Sequence, residues 1–140
     1  MTQKEFKQVL DGYKYSYVEE GNKIIVTHDK PVLLDSLTSL PSDVEFANRG
    51  KIRFEGLTDL PPGVVFRNTG YVYFGRLNYI PPGVEFRNKG GLWLNRVMKG
   101  GQWFENWNGN IKGIHPVRLF NKMISIGVFD KGWKDTTLIT

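Results

Sequence analysis

Side chains able to do covalent chemistry are scarce in this 140-residue chain, which has no cysteine and two histidines, His28 and His115. No Ser/His/Asp or Cys/His set can be assembled from them, so acyl transfer and thiol chemistry have no carrier. His28 falls in a turn and His115 directly precedes Pro116, positions that suit solvated or structural histidines. No glycine-rich phosphate loop occurs. The carboxylates of Asp43, Glu45, Glu55, Asp59 and Glu85 do not recur at one position of a repeat, which argues against a calcium-binding repeat. A thiolate metal site is excluded without cysteine. The reading is of a protein that is not an enzyme and needs no cofactor or metal ion.

What recurs at fixed spacing is polar and aromatic rather than reactive. Asn48, Asn68 and Asn88 stand twenty residues apart, as do Phe46, Phe66 and Phe86, and Gly50, Gly70 and Gly90. They belong to three units of the same length, LTSLPSDVEFANRGKIRFEG, LTDLPPGVVFRNTGYVYFGR and LNYIPPGVEFRNKGGLWLNR, which fill residues 37–96. Leucines, prolines and valines hold further columns, at Leu57, Pro61 and Val64 in the second unit. A fixed period of this length marks a solenoid, in which each unit buries its apolar face only against its neighbours.

Each unit carries two short alternations of apolar and other residues, Val64-Val65-Phe66 and Val72-Tyr73-Phe74 in the second. Period two is the strand signal. The intervening Arg-Asn-x-Gly reads as a tight turn. The Leu-Pro-Pro-Gly segment near the start of the second unit, Ile-Pro-Pro-Gly in the third, reads as extended, because proline fixes φ and removes a donor. One coil is then two strands and two corners. The asparagines read as a ladder that satisfies turn backbone, and the phenylalanine column as core.

The outward columns are the candidate binding residues. Between the inward columns of Val72 and Phe74, successive coils present Leu33, Arg53, Tyr73 and Trp93, with Tyr71 and Lys51 beside them. Stacked about 4.8 Å apart, these make one aromatic and basic stripe, of the kind that marks an interface more often than a bare sheet face. A second, basic set is Arg67 with Arg87, Arg76 with Arg96, and Arg49 and Lys89 at the corner. Residues 37–96 hold eight basic and five acidic side chains, against five and six in residues 1–36 and six and three in residues 97–140. Basic charge interleaved with aromatics suits a nucleic-acid backbone, and suits an acidic protein surface equally well.

The run LTSLPSDVEF at 37–46, echoed by LTDLPPGVVF at 57–66, resembles the LTSLP-type repeats of short, bacterial-style leucine-rich repeat proteins, which also occur in small proteins of bacteria and their phages. The resemblance covers residues 37–96 well and 17–36 weakly. It departs from the usual pattern. Phe54, Phe74 and Leu94 are followed three residues later by Leu57, Leu77 and Val97 without the customary asparagine, and a Val-x-Phe strand stands where a convex segment is usual. The expected fold is therefore mainly β: a short, leucine-rich-repeat-like β-solenoid of 20-residue coils, capped by an N-terminal and a C-terminal α-helix. The resemblance implies binding rather than catalysis. A phage origin would further imply inhibition of a host factor, including anti-CRISPR or other anti-defence roles.

The ends fit one domain, read as an N-terminal cap over 1–16, repeat coils over 17–96 and a C-terminal cap over 97–140. Thr2 and Glu5 have capping-box spacing ahead of an apolar face of Phe6, Val9 and Leu10. A degenerate coil spans Tyr17 to Ser36, with Ile24-Ile25-Val26 aligned on Val44-Glu45-Phe46 and His28 in the asparagine column. Residues Gly100 to Asn110 read as a Gly, Asn and Trp-rich loop, followed by a helix from His115 to Gly127. That helix, with Trp103, Phe104 and Trp107, is expected to be a lid over the last coil, and the tail from Lys131 to Thr140 to be held through Trp133. No membrane-length apolar run or signal peptide is visible, and cysteine is absent, so the expected location is the cytoplasm. The leading expectation is a module that binds another protein. The alternatives are a nucleic-acid binder using Arg49, Arg53, Arg67, Arg87 and Lys89, and a self-assembling module with the stripe as a homo-oligomer contact.

Overall fold

Strands that lie side by side in the coil are twenty residues apart. In the computed structural model, which describes residues 1–77, 80–81, 83–94, 102–105 and 134–135, Ile24 is paired with Val44, Glu45 with Val65 and Val65 with Glu85, all in parallel. These partners belong to β2 (Lys23–Val26), β4 (Val44–Phe46), β6 (Val65–Phe66) and β8 (Glu85–Phe86). The second strands of the coils, β3 (Val32–Leu33), β5 (Ile52–Phe54), β7 (Val72–Phe74) and β9 (Leu92–Leu94), pair in the same parallel register. The result is a β-solenoid with two facing sheets, as the period requires.

Between the sheets lies a core of stacked columns. Phe46 and Phe66 stack at 5.2 Å and Phe66 and Phe86 at 4.9 Å, while Phe54 stacks on Phe74 at 5.4 Å. Rings from opposite sheets meet edge to face, Phe46 to Phe54 at 5.7 Å and Phe66 to Phe74 at 5.9 Å. Each buried ring is worth roughly 1.5–3 kcal/mol over an exposed one. Leu37, Leu57 and Leu77 fill the proline-rich corner, all buried.

The opposite corner is built on asparagine and glycine. Asn68 is fully buried and its Nδ2 donates to the Gly70 carbonyl of its own coil at 2.9 Å and to that of Gly50 below at 3.0 Å. Asn88 donates from Nδ2 to Gly70 O at 3.0 Å in the same way. The glycines let the coils touch backbone to backbone: a Cβ on Gly70 would stand 2.6 Å from the carbonyl carbon of Gly50.

The N-terminal end is closed by elements outside the repeat. Helix α1 (Gln3–Tyr13) has the predicted capping box: Glu5 N donates to Thr2 Oγ1 at 3.1 Å, and Thr2 N donates to Glu5 Oε1 at 3.0 Å. Its buried Phe6 meets Phe46 edge-on at 6.2 Å, so the helix lies over the open end of the core. Tyr17 to Glu20, expected within the degenerate coil, instead form β1 (Tyr17–Glu20), antiparallel to β2. Gly21, at φ +61°, makes the hairpin turn that reverses the chain there. On the other sheet, Tyr15 replaces a strand. Its hydroxyl accepts from the Leu33 N–H at 3.1 Å and donates to the Leu33 carbonyl at 3.3 Å, so one side chain satisfies two groups on the edge strand.

Beyond β9, the stretch read as a loop contains β10 (Gln102–Glu105), antiparallel to β9. The glycines and asparagines around it suggested a loop, but Trp103 and Phe104 favour strand, and the edge of β9 supplies the main-chain partners. β11 (Lys134–Asp135) follows it in the sheet, within the tail expected to be held. The predicted helix at 115–127, Trp107 and Trp133 lie outside the described residues.

Candidate functional site

Alternation along β3, β5, β7 and β9 turns every second side chain away from the core. Leu33, Arg53, Tyr73 and Trp93 are direct neighbours from strand to strand, and all four are half-buried. The predicted stripe is therefore a contiguous column. On one side of it lie Lys51 and Tyr71, with the Lys51 ammonium 5.7 Å from the centre of the Tyr71 ring. On the other side lie Asp35, Glu55 and Gly75. Asp35 and Gly75 were not singled out in the sequence, and Glu55 was weighed only as a carboxylate of a calcium-binding repeat, although each follows a stripe residue by two positions and so shares its face.

The charges on this face are largely matched within it. Arg53 donates from Nε to Asp35 at 3.1 and 3.0 Å, with the two side chains 37% and 34% exposed. That hydrogen bond, then the charge of Asp35, holds the guanidinium pKa above its ordinary value. Burial pushes the Tyr73 phenol up, helped by the Glu55 carboxylate. Lys51 and Arg53 are balanced in number by Asp35 and Glu55, so the face is not the basic track the stripe suggested.

The remaining predicted residues lie elsewhere. Arg67 and Arg87 stand outside the other sheet, next to its carboxylates: Arg67 Nε is 3.3 Å from Glu45, which is 17% exposed, and Arg87 is 3.9 Å from Glu85. Arg49 and Lys89 are exposed on the asparagine corner, where Arg49 makes a loose pair with Asp29 at 3.6 Å. The core separates Arg53 from Arg67 and Arg87, so the five cations proposed for nucleic acid do not share a face. Arg76 is exposed, and Arg96 lies outside the described residues.

Of the two histidines, His28 is held in the fold. His28 Nδ1 accepts from the Ser16 N–H at 3.2 Å, and its ring lies 4.9 Å from that of Tyr15. His115 lies outside the described residues. Among the described residues no group of three or more His, Asp or Glu is arranged to hold a metal ion. Nor is any helix among them long and apolar enough to cross a membrane. An open cleft beside the β1–β2 turn is lined by Glu20, Gly21, Lys23, Ile25 and Glu45, with Lys23 3.9 Å from Glu45. Compared with known proteins, the chain matches no family model, no curated protein and no solved structure.

Proposed function

We propose that the protein is a non-enzymatic binding module that docks another protein on the outer face of β3, β5, β7 and β9, with Tyr73 and Trp93 at its centre. The observation that carries this reading is the unbroken ladder of Leu33, Arg53, Tyr73 and Trp93, strand against strand. Four parallel strands fix its backbone, so little backbone freedom is lost on docking. Large amphipathic rings on such a frame supply contact area and polar handles together. The Arg53–Asp35 pair supports it further, because a cation already hydrogen-bonded to a carboxylate has less to lose when water is displaced.

A runner-up reading rests on the corner, where Arg49 and Lys89 are exposed near Arg67 and Arg87. That set suits a polyanion, and Glu45 and Glu85 beside the arginines weaken it. One comparison separates the two. A partner captured in the presence of nuclease is assayed at two salt concentrations against Trp93→Ala and against Arg67→Glu with Arg87→Glu. Protein docking predicts that Trp93→Ala loses about 2 kcal/mol or more of binding, roughly thirtyfold, and that the double reversal changes mainly association rate and salt sensitivity. A polyanion site predicts the reverse, with steep salt dependence. If Trp93→Ala binds like the parent, the docking reading fails. Inhibition of a host factor, which a phage origin would imply, is read in the same assay as loss of the partner's own activity.

A further inference from the structure

His28 occupies the first place in the asparagine column. The main chain shows it: Arg49 N donates to His28 O at 2.9 Å, as Thr69 N donates to Asn48 O and Lys89 N to Asn68 O, both at 3.2 Å. Asn48 and Asn68 turn inward and donate to the coil below, to Lys30 O and Gly50 O. Among the described residues no coil lies below His28, and its ring turns instead to the segment that joins α1 to β1. There its Nδ1 accepts from the Ser16 N–H at 3.2 Å. Ser16 is a joint between two parts of the N-terminal closure. On one side is Tyr15, whose hydroxyl holds both main-chain groups of Leu33 and whose ring lies 4.9 Å from that of His28. On the other is β1, ahead of which Ser16 O accepts from Thr27 N at 3.0 Å. The titratable member of the column thus stands where the closure is fastened.

We infer that His28 is an acid-sensitive latch on the N-terminal closure: the neutral ring holds Ser16 and, beside it, the Tyr15 plug, and a proton on Nδ1 releases them. An imidazole nitrogen accepts a hydrogen bond only through its lone pair, and Nδ1 of the charged ring carries a hydrogen instead. The Ser16 N–H would then face a second donor across 3.2 Å. Turning the ring about χ2 brings a carbon to that place, so no orientation of the imidazolium restores the bond. The latch is closed while the ring is neutral and opens as pH falls through the titration of the imidazole, between about pH 8 and 5. The titratable and charged groups around it come from three sides. Tyr13, stacked on Tyr15 at 5.4 Å, and Lys14 stand at the end of α1, Asp29 and Lys30 in its own turn, and Arg49, 3.6 Å from Asp29, in the next coil. All five are exposed, so solvent screens their pull on the ring. Opening loosens Tyr15 from Leu33, the first rung of the outer ladder, and bares the edge of β3.

The test uses the whole chain, ¹⁵N-labelled. Amide exchange at Ser16 and Leu33 is divided by the rate of an unstructured chain at each pH, from about pH 8 to 5. Protection of both amides should fall about fivefold over that range, the equivalent of one ordinary hydrogen bond. The Arg67 N–H, which donates to Phe46 O at 2.6 Å inside the stack, should keep its protection. His28→Asn has the column's own residue type, cannot titrate and retains His115, so its protection at Leu33 should be level across the range. Long-range ¹⁵N spectra at about pH 8 should place the proton of the neutral His28 ring on Nε2. Unchanged protection at Ser16 and Leu33 would overturn the latch, as would the same fall in His28→Asn or a neutral ring protonated on Nδ1. So would a rise at Leu33 in acid, which would mean that the charged ring grips the face of Tyr15 instead. A parallel fall at Arg67 would assign the effect of acid to the whole stack and remove the latch as well.

Discussion

Single atoms decide the fit between coils at the asparagine corner. Gly70 lies so close to the coil below that a methyl group would be 2.6 Å from both Gly50 C and Lys51 N, which are backbone atoms that cannot turn aside. Gly70→Ala should therefore destabilise by about 1–3 kcal/mol, as overpacking does. Gly12, in α1, has nothing within 4 Å of the same methyl. Gly12→Ala should raise stability by about 0.5–1 kcal/mol by removing backbone freedom from the unfolded chain. Denaturant titrations of both variants at a common slope check the pair, and equal effects would mean that the corner is not stacked as tightly as described. Much of this scale was open to inspection in the sequence, since the glycine and asparagine columns recur without a gap. Asp43 was not. It stands where the next coils have Gly63 and Gly83, and it adopts the same left-handed conformation, φ +61° against +88° and +92°. A carboxylate in that column looks like a surface residue until the backbone angle is known.

At the scale of elements, the two ends are held by different means, and each has its own signature. The capping box of α1 depends on the charge of Glu5, whose pKa is lowered by hydrogen bonds from Thr2, the backbone N–H first and the side chain second. A carboxylate held below its ordinary value of 4.5 contributes stability at neutral pH and loses it as pH falls through the lowered value. The parent should thus show an acid decline in thermal stability that Glu5→Gln, which cannot titrate, shows less steeply. A scan of melting temperature between about pH 6 and 3 measures it. Tyr15→Phe probes the other closure. Leaving Leu33 N–H and C=O without the hydroxyl should cost about 1–3 kcal/mol and open the strand edge to association, which sedimentation reads alongside denaturation. The capping box could be read ahead because its spacing is local. The tyrosine plug could not, since the contact joins residues 15 and 33 across the end of a sheet, with no periodicity to announce it. The Arg53–Asp35 pair escaped for a related reason: an offset of 18 residues is one coil less one pleat, and becomes a neighbour relation only once the register is fixed.

The whole molecule behaves as a stack in which each coil supports the next. Removing residues 57–76 joins Gly56 to Leu77, which hold their places in successive units, so the shortened chain should still fold cooperatively. Its denaturant slope should fall by roughly one seventh, in step with the surface no longer buried. Removing only residues 57–66 would bring a strand of one sheet into line with the other and should abolish cooperative unfolding. The twenty-residue register made this architecture legible from the sequence. The distribution of charge over it was not, because Arg53, Arg67 and Arg87 read as one basic set until the sheets assign them to opposite sides of the core. The N-terminal closure has a further consequence for inheritance. Phe6 and Tyr15 meet the first coils, through Phe46 and Leu33. A gene that gains or loses one repeat's worth of coding sequence further along would leave that end untouched. The docking face would lengthen or shorten by one strand spacing, about 4.8 Å, giving descendants a surface whose reach is counted in whole rungs.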